Sequence, residues 1–340
     1  MMSSVFGAAA TYQKLRATLN LTAVQAGARR PFRFLLCGDP GLLAAFRYIM
    51  LSGQQSDAIP MDAAATLETL PSSGGPPTDL ADARAIVFFG RPGDRAGARL
   101  EGLTDVGLPV FALTVDPEAA PAGPAAAPRP GEIGDYIVTA IELEALRGRF
   151  LPHLIDVCKG IEIAVGRRLP ALRQTVAAKL TRDAALNALK VAGASAVVDH
   201  VPVLGVVLGA FASAGDMVAI TGIQMMLMLQ ISATFGKDPD MNRMWELLPV
   251  VGGGFGFRAL ARELSGFIPV GGILIKAAIA YAGTVVVGEG ATFYEQHGRH
   301  MTSADASKTY DDAKALAMQF ARDMFSRLSP PNGGNGKNPE

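Results

Sequence analysis

The sequence predicts an α/β domain built on a parallel sheet, followed by an all-α domain that is apolar and rich in glycine. Three observations carry that reading. Short, continuous apolar runs alternate with helical segments as far as residue 140, strand signals stop at Leu143, and residues 201–288 contain very few charges. Continuous apolar strands, unlike alternating ones, belong to a sheet buried on both faces.

Tyr12, Leu15, Leu19, Leu21 and Val24 recur at roughly helical spacing, which predicts an amphipathic helix over residues 11–26 within an N-terminal segment 1–30. Residues 31–150 then give strands at Phe32–Cys37, Ala85–Phe89, Pro109–Val115 and Tyr136–Ala140, with a helix at Leu42–Leu51. Residues 116–132, DPEAAPAGPAAAPRPGE, hold too little apolar area to fold alone and predict an exposed loop inserted in this domain. The helical domain is expected over 151–300, with Pro170 dividing its first long segment. Ser303–Leu328 predicts a C-terminal helix within 301–328, capped by Thr302 or Ser303, and residues 329–340 read as a disordered tail.

Composition narrows the function. Lys plus Arg and Asp plus Glu balance at 31 each, which removes the basic footprint of a nucleic-acid partner. Cys37 and Cys158 have no metal or redox spacing and read as buried thiols of a reducing compartment. The N-terminus lacks a basic stretch followed by a continuous apolar run, so no signal peptide is expected.

The run FLLCGDPGLLAAF, Phe34–Phe46, has the strand, glycine turn and helix of a phosphate-binding loop. Such a loop needs G-x-x-x-x-G-K-[ST], the lysine for the terminal phosphates and the hydroxyl for magnesium. Counted from Gly38, with Gly41 keeping the turn, the required second glycine, lysine and hydroxyl are Leu43, Ala44 and Ala45. The order of elements around it resembles an Era-like or Ras-like GTPase domain. ADARAIVFFGRPGD resembles the strand after the second switch, and LPVFALTVD the strand that ends in the guanine-reading Asn-Lys-x-Asp. Only Asp116 of those four positions is kept, after Leu113, Thr114 and Val115, and it is a relic that cannot read guanine alone. DYIVTAIELEALRGRF resembles the last strand and helix, with Thr139 and Ala140 in place of a Ser-Ala pair. Two readings stay open: a shortened GTPase-like domain that holds no nucleotide, or an unrelated doubly wound domain.

Val201–Gly236 carries one formal charge, Asp216, and Gly266–Gly288 carries one, Lys276. VPVLG at Val201 and IPVGG at Ile268 each lead into an apolar run with a small-residue site, Ala214-Gly215 and Ala282-Gly283, which predicts a weak internal repeat. Asp216 and Lys276 are expected either to approach one another, or to be unrelated charges, or Asp216 is expected to cap a helix N-terminus. Asp216, Gln224 in an apolar helix, Phe235-Gly236, Arg258 and Arg262 before Ile268-Pro269, Ala280–Thr284 and Phe293-Tyr294-Glu295 together resemble the helical domain often fused behind bacterial GTPase domains, as in the YcjF family of membrane proteins. That resemblance implies association with the bacterial inner membrane, the α/β domain facing the cytoplasm, and no catalysis. Met217–Gly236 is long enough to span a bilayer of about 30 Å, yet its composition also suits a buried soluble bundle, which leaves a cytoplasmic chain as the alternative.

Gly254, Gly256 and Ala259 imitate a dinucleotide turn without the acidic residue that should follow, and Glu295, His297 and His300 lack a fourth metal ligand. No catalytic residue, metal or cofactor is expected. The expected function is a non-catalytic, membrane-associated adaptor or scaffold whose partners are a lipid bilayer, another protein and further copies of itself. An atypical GTP-binding protein or GTPase at the membrane, and an oligomeric or pore-like assembly of glycine-rich helices, are the alternatives.

Overall fold

A computed structural model describes residues 20–52, 62–71, 79–94, 97–198, 205–240, 242–243, 246–247 and 272–328. Five strands form one sheet, all pairs parallel: β1 (Arg33–Gly38), β2 (Leu67–Thr69), β3 (Ala83–Gly90), β4 (Val110–Val115) and β5 (Ile133–Val138), in the order β2-β1-β3-β4-β5. This is a doubly wound order, in which the chain leaves β1 toward one edge and returns past it to build the other. The strands lie within three residues of the sequence expectation, except β2. Its three residues are too short for a periodic signal, and arginines hold it: the Arg47 guanidinium donates to the Leu67 carbonyl, and Arg33 pairs with Glu68 at 2.6 Å.

One face of the sheet is covered by α2 (Pro40–Leu51), α4 (Leu143–Arg147), α5 (Phe150–Asp156) and α6 (Glu162–Arg168), and α3 (Gly97–Thr104) lies beside β4 on the other side. Phe46, Phe89, Phe111, Tyr136 and Phe150 interlock in the larger core, their ring centroids 5.0–6.0 Å apart. That core continues past residue 150 through Leu169 and Leu172 to Val176, so the sheet and the first helices after it share one apolar interior. The Pro/Ala segment is a mostly exposed loop fastened at two points: Ala122 makes an isolated antiparallel bridge to Ile137 on the outer edge of β5, and Pro128 is buried.

The helical half is a bundle of α7 (Arg173–Val198), α8 (Gly205–Thr234), α9 (Gly272–His297) and α10 (Ser303–Leu328). A leading helix, α1 (Leu21–Arg29), packs on α6 and α8, capped by Asn20, whose Oδ1 accepts from Ala23 N–H at 3.0 Å. Residues 1–19 of the expected N-terminal segment, and the tail 329–340, lie outside the described residues. α10 has the predicted bounds, and Thr302 is its cap, accepting from Asp305 N–H at 3.2 Å. Both arms of the sequence repeat become helices that begin at its fifth residue, Gly205 and Gly272. Ala188 and Ala192 of α7 meet Ala277–Ala280 of α9 at one end, while Ala177 meets Val287 and Ala291 at the other, so α7 runs opposite to α8 and α9.

Small residues let these helices approach closely. A Cβ on Gly288 of α9 would stand 2.2 Å from Thr181 Oγ1 of α7, and one on Gly166 of α6 would stand 2.3 Å from Thr234 Cγ2 of α8. The apolarity of α8 has a matching cause. Leu227, Met228, Leu229, Ile231 and Ala233 are all buried by neighbouring helices, as a helix apolar on every side requires. Among the described residues no helix is long and apolar enough to cross a membrane.

Candidate functional site

In an open parallel sheet a ligand is expected outside the carboxyl ends of the strands where the chain reverses direction, here between β1 and β3. The loop after β1 is the one whose sequence resembles a phosphate-binding loop, so both arguments select the same place. It is filled by the protein itself. Gly38, at φ +113°, lies so close to β3 that a Cβ there would stand 2.0 Å from the Phe89 carbonyl oxygen. Asp39 N–H donates to that same oxygen at 2.9 Å.

The helix that follows carries its own anion. Asp39 is the N-cap of α2, with Pro40 in the first turn, and its Oδ1 accepts from Leu42 N–H at 2.9 Å. Its other oxygen accepts from Arg91 Nε at 3.2 Å, across the mouth of the reversal point. The hydrogen bond from Leu42, then the one from Arg91, hold the Asp39 carboxyl below its ordinary value of 3.8. A helix N-terminus attracts phosphate through its unpaired N–H groups and its dipole. Here the Asp39 carboxylate meets that demand, and Arg91 pairs with the carboxylate. The signal was legible in the sequence as Asp-Pro, an N-cap followed by proline at the first helical position.

The positions expected to face phosphate are divided. Leu43 is buried in the sheet's core, Ala45 is half-buried against it, and Ala44 is exposed. Leu43 and Ala44 line an open cavity of about 350 Å³ with Gly38, Pro40, Arg47, Thr69 and Leu70. This cavity opens on the β2 side of β1 and shares Gly38 and Pro40 with the loop at the reversal point. Arg47 is committed to the Leu67 and Ala64 carbonyls. Gly41 places its missing Cβ beside the Asp39 carboxylate, 3.2 Å from Oδ1. Asp116 follows β4 but serves its own turn: its backbone N–H donates to Val138 and its Oδ1 accepts from Glu118 N–H at 3.0 Å.

In the bundle, Gln224 is buried and donates from Nε2 to Thr284 Oγ1 at 3.2 Å, a link between α8 and α9 that accounts for a polar side chain in an apolar helix. Asp216 lies in the interior of α8, so it is not an N-cap: the stretches before and after it are one continuous helix of 30 residues. The side chains of Asp216 and Lys276, and Arg258, Arg262 and the Gly254–Ala259 turn altogether, lie outside the described residues. Glu295 is taken up by Arg243 at 2.6 Å, while His297 stacks on Phe293 and His300 on Tyr294. Among the described residues no group of three metal-ligating side chains converges. Burial pushes the Cys158 thiol up, and its Sγ donates to Leu154 O at 3.1 Å. Cys37 is buried within β1. No protein-family model, characterised protein or solved structure matches the chain.

Removal of the cap has a defined consequence. Asp39→Ala is expected to lower the thermal midpoint at neutral pH, with Asp39→Asn, which keeps an acceptor, losing less. Because the native carboxyl titrates below 3.8, its contribution is complete above that value and is lost as the pH falls through the native one. Circular-dichroism melts across that range should therefore show wild type converging on Asp39→Asn in acid.

Proposed function

We propose that this chain is a non-catalytic adaptor or scaffold, with a GTPase-like α/β domain that holds no nucleotide and a helical bundle that brings it to a lipid surface. One observation carries the first half: the place where a nucleotide's phosphates would enter is occupied by Asp39, Arg91 and the direct contact of Gly38 with β3. The phosphate-binding lysine and hydroxyl are replaced by Ala44 and Ala45, and Asp116 is engaged in its own turn. The exposed surface of the α/β domain is left for a protein partner.

The second half rests on where the apolar sequence falls. The sheet-proximal part of α8 is enclosed by protein, so we assign lipid contact to the opposite end, where α7 ends and α8 and α9 begin. In sequence, Val201–Gly215 is uncharged throughout. Anchorage at the inner membrane leaves the α/β domain in the cytoplasm.

Calorimetric titration with GTP and GDP in the presence of magnesium is expected to give no binding heat. Micromolar GTP affinity that Asp116→Ala abolishes would overturn the nucleotide-free reading. For the membrane half, the protein is expected in the membrane fraction of expressing bacteria, and full recovery in the soluble fraction after alkaline carbonate would exclude an integral attachment.

A further inference from the structure

The open cavity between α2 and β2 lies against an unfinished sheet edge. β2 pairs only with β1, and Leu70 N–H donates to the Leu36 carbonyl at 2.8 Å, so Glu68 and Leu70 turn their backbone groups toward β1. Backbone groups alternate in direction along a strand, which leaves those of Leu67 and Thr69 facing outward. The Leu67 carbonyl is met there by the Arg47 guanidinium. Among the described residues the Thr69 N–H and C=O have no partner. They are the groups that an added strand would use.

Beside that edge the cavity offers one charge and apolar walls. Pro40, Leu43, Ala44 and Leu70 line it, and Tyr48, one turn on from Ala44 along the same face of α2, is 75% exposed and extends the apolar surface. Arg47 donates only to the Leu67 and Ala64 carbonyls, which leaves N–H donors over and its charge unneutralised. Among the described residues no carboxylate pairs with it. We propose that this groove binds the C-terminus of a partner protein as an extended peptide, antiparallel to β2, with the peptide carboxylate on Arg47. The proposal rests on the adaptor reading above and names its docking site.

The edge itself selects this occupant. Arg47 closes the outer ladder at Leu67, so a strand running straight past would meet the guanidinium, whereas a chain end can stop there. A chain end at Arg47 is either the N-terminus of a parallel strand or the C-terminus of an antiparallel one. The cation repels an ammonium and complements a carboxylate, to which it can donate a charge-assisted hydrogen bond. In the antiparallel arrangement the peptide residue opposite Thr69 exchanges both backbone hydrogen bonds with it and carries its side chain on the same face. Thr69 lines the cavity, so that side chain enters it, between Leu43 and Ala44 on one side and Leu70 on the other. The last residue then lies opposite Glu68, which brings its carboxylate to the Leu67 end of β2, where Arg47 sits. The groove is therefore specific for a free carboxylate and an apolar penultimate residue.

Selection from a library of hexapeptides randomised at every position, offered to the full chain once with free C-terminal carboxylates and once as C-terminal amides, reads this directly. The free-acid library should enrich peptides with an apolar penultimate residue. Each should lose about tenfold or more in affinity as its amide, the scale of a hydrogen bond to a charged group. In nuclear magnetic resonance titrations an enriched peptide should shift the amides of Ala44, Thr69 and Leu70 and leave Ile137, on the opposite edge strand, in place. Ala44→Glu, at an exposed helix position three residues before Arg47, supplies a competing carboxylate and should weaken the same peptide about tenfold or more. No enrichment from the free-acid library, equal binding of acid and amide, or shifts that spare Thr69 would overturn the proposal, and these wild-type arms decide even if the variant does not fold. Such a failure removes this docking site alone, because the nucleotide-free reading is decided by the GTP titration and its dependence on Asp116.

Discussion

Glu295→Gln is expected to destabilise the protein by about 3 kcal/mol, the lower end of the cost of breaking a buried ion pair, because Glu246 still balances part of the arginine's charge. The Glu295 side chain is 2% exposed and its Oε1 lies 2.6 Å from Nη2 of Arg243, whose side chain is 15% exposed. Every arm of that guanidinium is used: Nε donates to the buried Ser232 hydroxyl at 2.8 Å, Nη1 to Glu246 at 2.7 Å, and its plane lies over the Tyr294 ring. Burial opposes the charge on Arg243, but the bonds to Glu295 and Glu246 outweigh it and raise its pKa. Glutamine keeps the shape and removes the charge, so the arginine is left desolvated with only the more exposed Glu246 to balance it. Replacing both partners, Arg243→Met with Glu295→Leu, removes the desolvation cost together with the attraction and should land within about 1 kcal/mol of wild type. Urea denaturation of Arg243→Met, of Glu295→Leu and of the variant carrying both gives the coupling, with Glu295→Gln measured beside them. A single-variant loss no larger than that of an exposed pair, about 1 kcal/mol or less, would mean that the pair is solvated in solution.

The sheet was legible because its strands announce themselves physically. A strand buried on both faces must be apolar at every position, and Phe34–Cys37, Ile86–Phe89 and Val110–Leu113 satisfy that without reference to the rest of the chain. β2 was not legible, since Leu67, Glu68 and Thr69 have one buried position among them and depend on Arg33 and Arg47, which are remote in sequence. How the Pro/Ala segment is attached was not legible either, for the opposite reason. Its composition excludes a core of its own, yet it borrows one from Tyr136 and Gly134. In the helical half the glycine pattern announced close packing, and Gly288 against Thr181 realises it between helices 107 residues apart in register. The break in hydropathy at Asp216 suggested two segments, but helix continuity is a backbone property and one charged side chain does not interrupt it.

The candidate site divides along the same line. What phosphate chemistry requires, and Leu43, Ala44 and Ala45 do not supply, can be read residue by residue from a motif. What fills the space instead could be read only in part. Asp39 before Pro40 announces a cap, whereas the pairing of Asp39 with Arg91 joins loops that meet only when β1 and β3 are neighbours. The Arg243–Glu295 pair, 52 residues apart, likewise carries no local signal.

Gly38→Ala tests whether that closure is a fixed property of the fold, and its expected cost is about 4 kcal/mol. Two contributions of about 1–3 kcal/mol each combine: a side chain held at φ +113°, and a methyl group forced into a packed interior. The new Cβ would meet the Phe89 carbonyl oxygen at 2.0 Å, its nitrogen at 2.7 Å and its carbonyl carbon at 2.8 Å. These are backbone atoms of β3, a strand paired on both sides, so they cannot swing away as the end of a long side chain would. Gly93→Ala is the control. It lies in the loop after β3 at φ +84° with no atom within 4 Å of a new Cβ, so only the conformational cost of about 1–2 kcal/mol remains. Chemical denaturation of both variants should separate them by about 2 kcal/mol or more. Equal losses would mean that β1 can withdraw from β3, and a crevice that can open to accept a methyl group could open for a ligand. The expected inequality means the reverse: β1 and β3 hold their close approach at Gly38, and the crevice does not open there to admit even a methyl group.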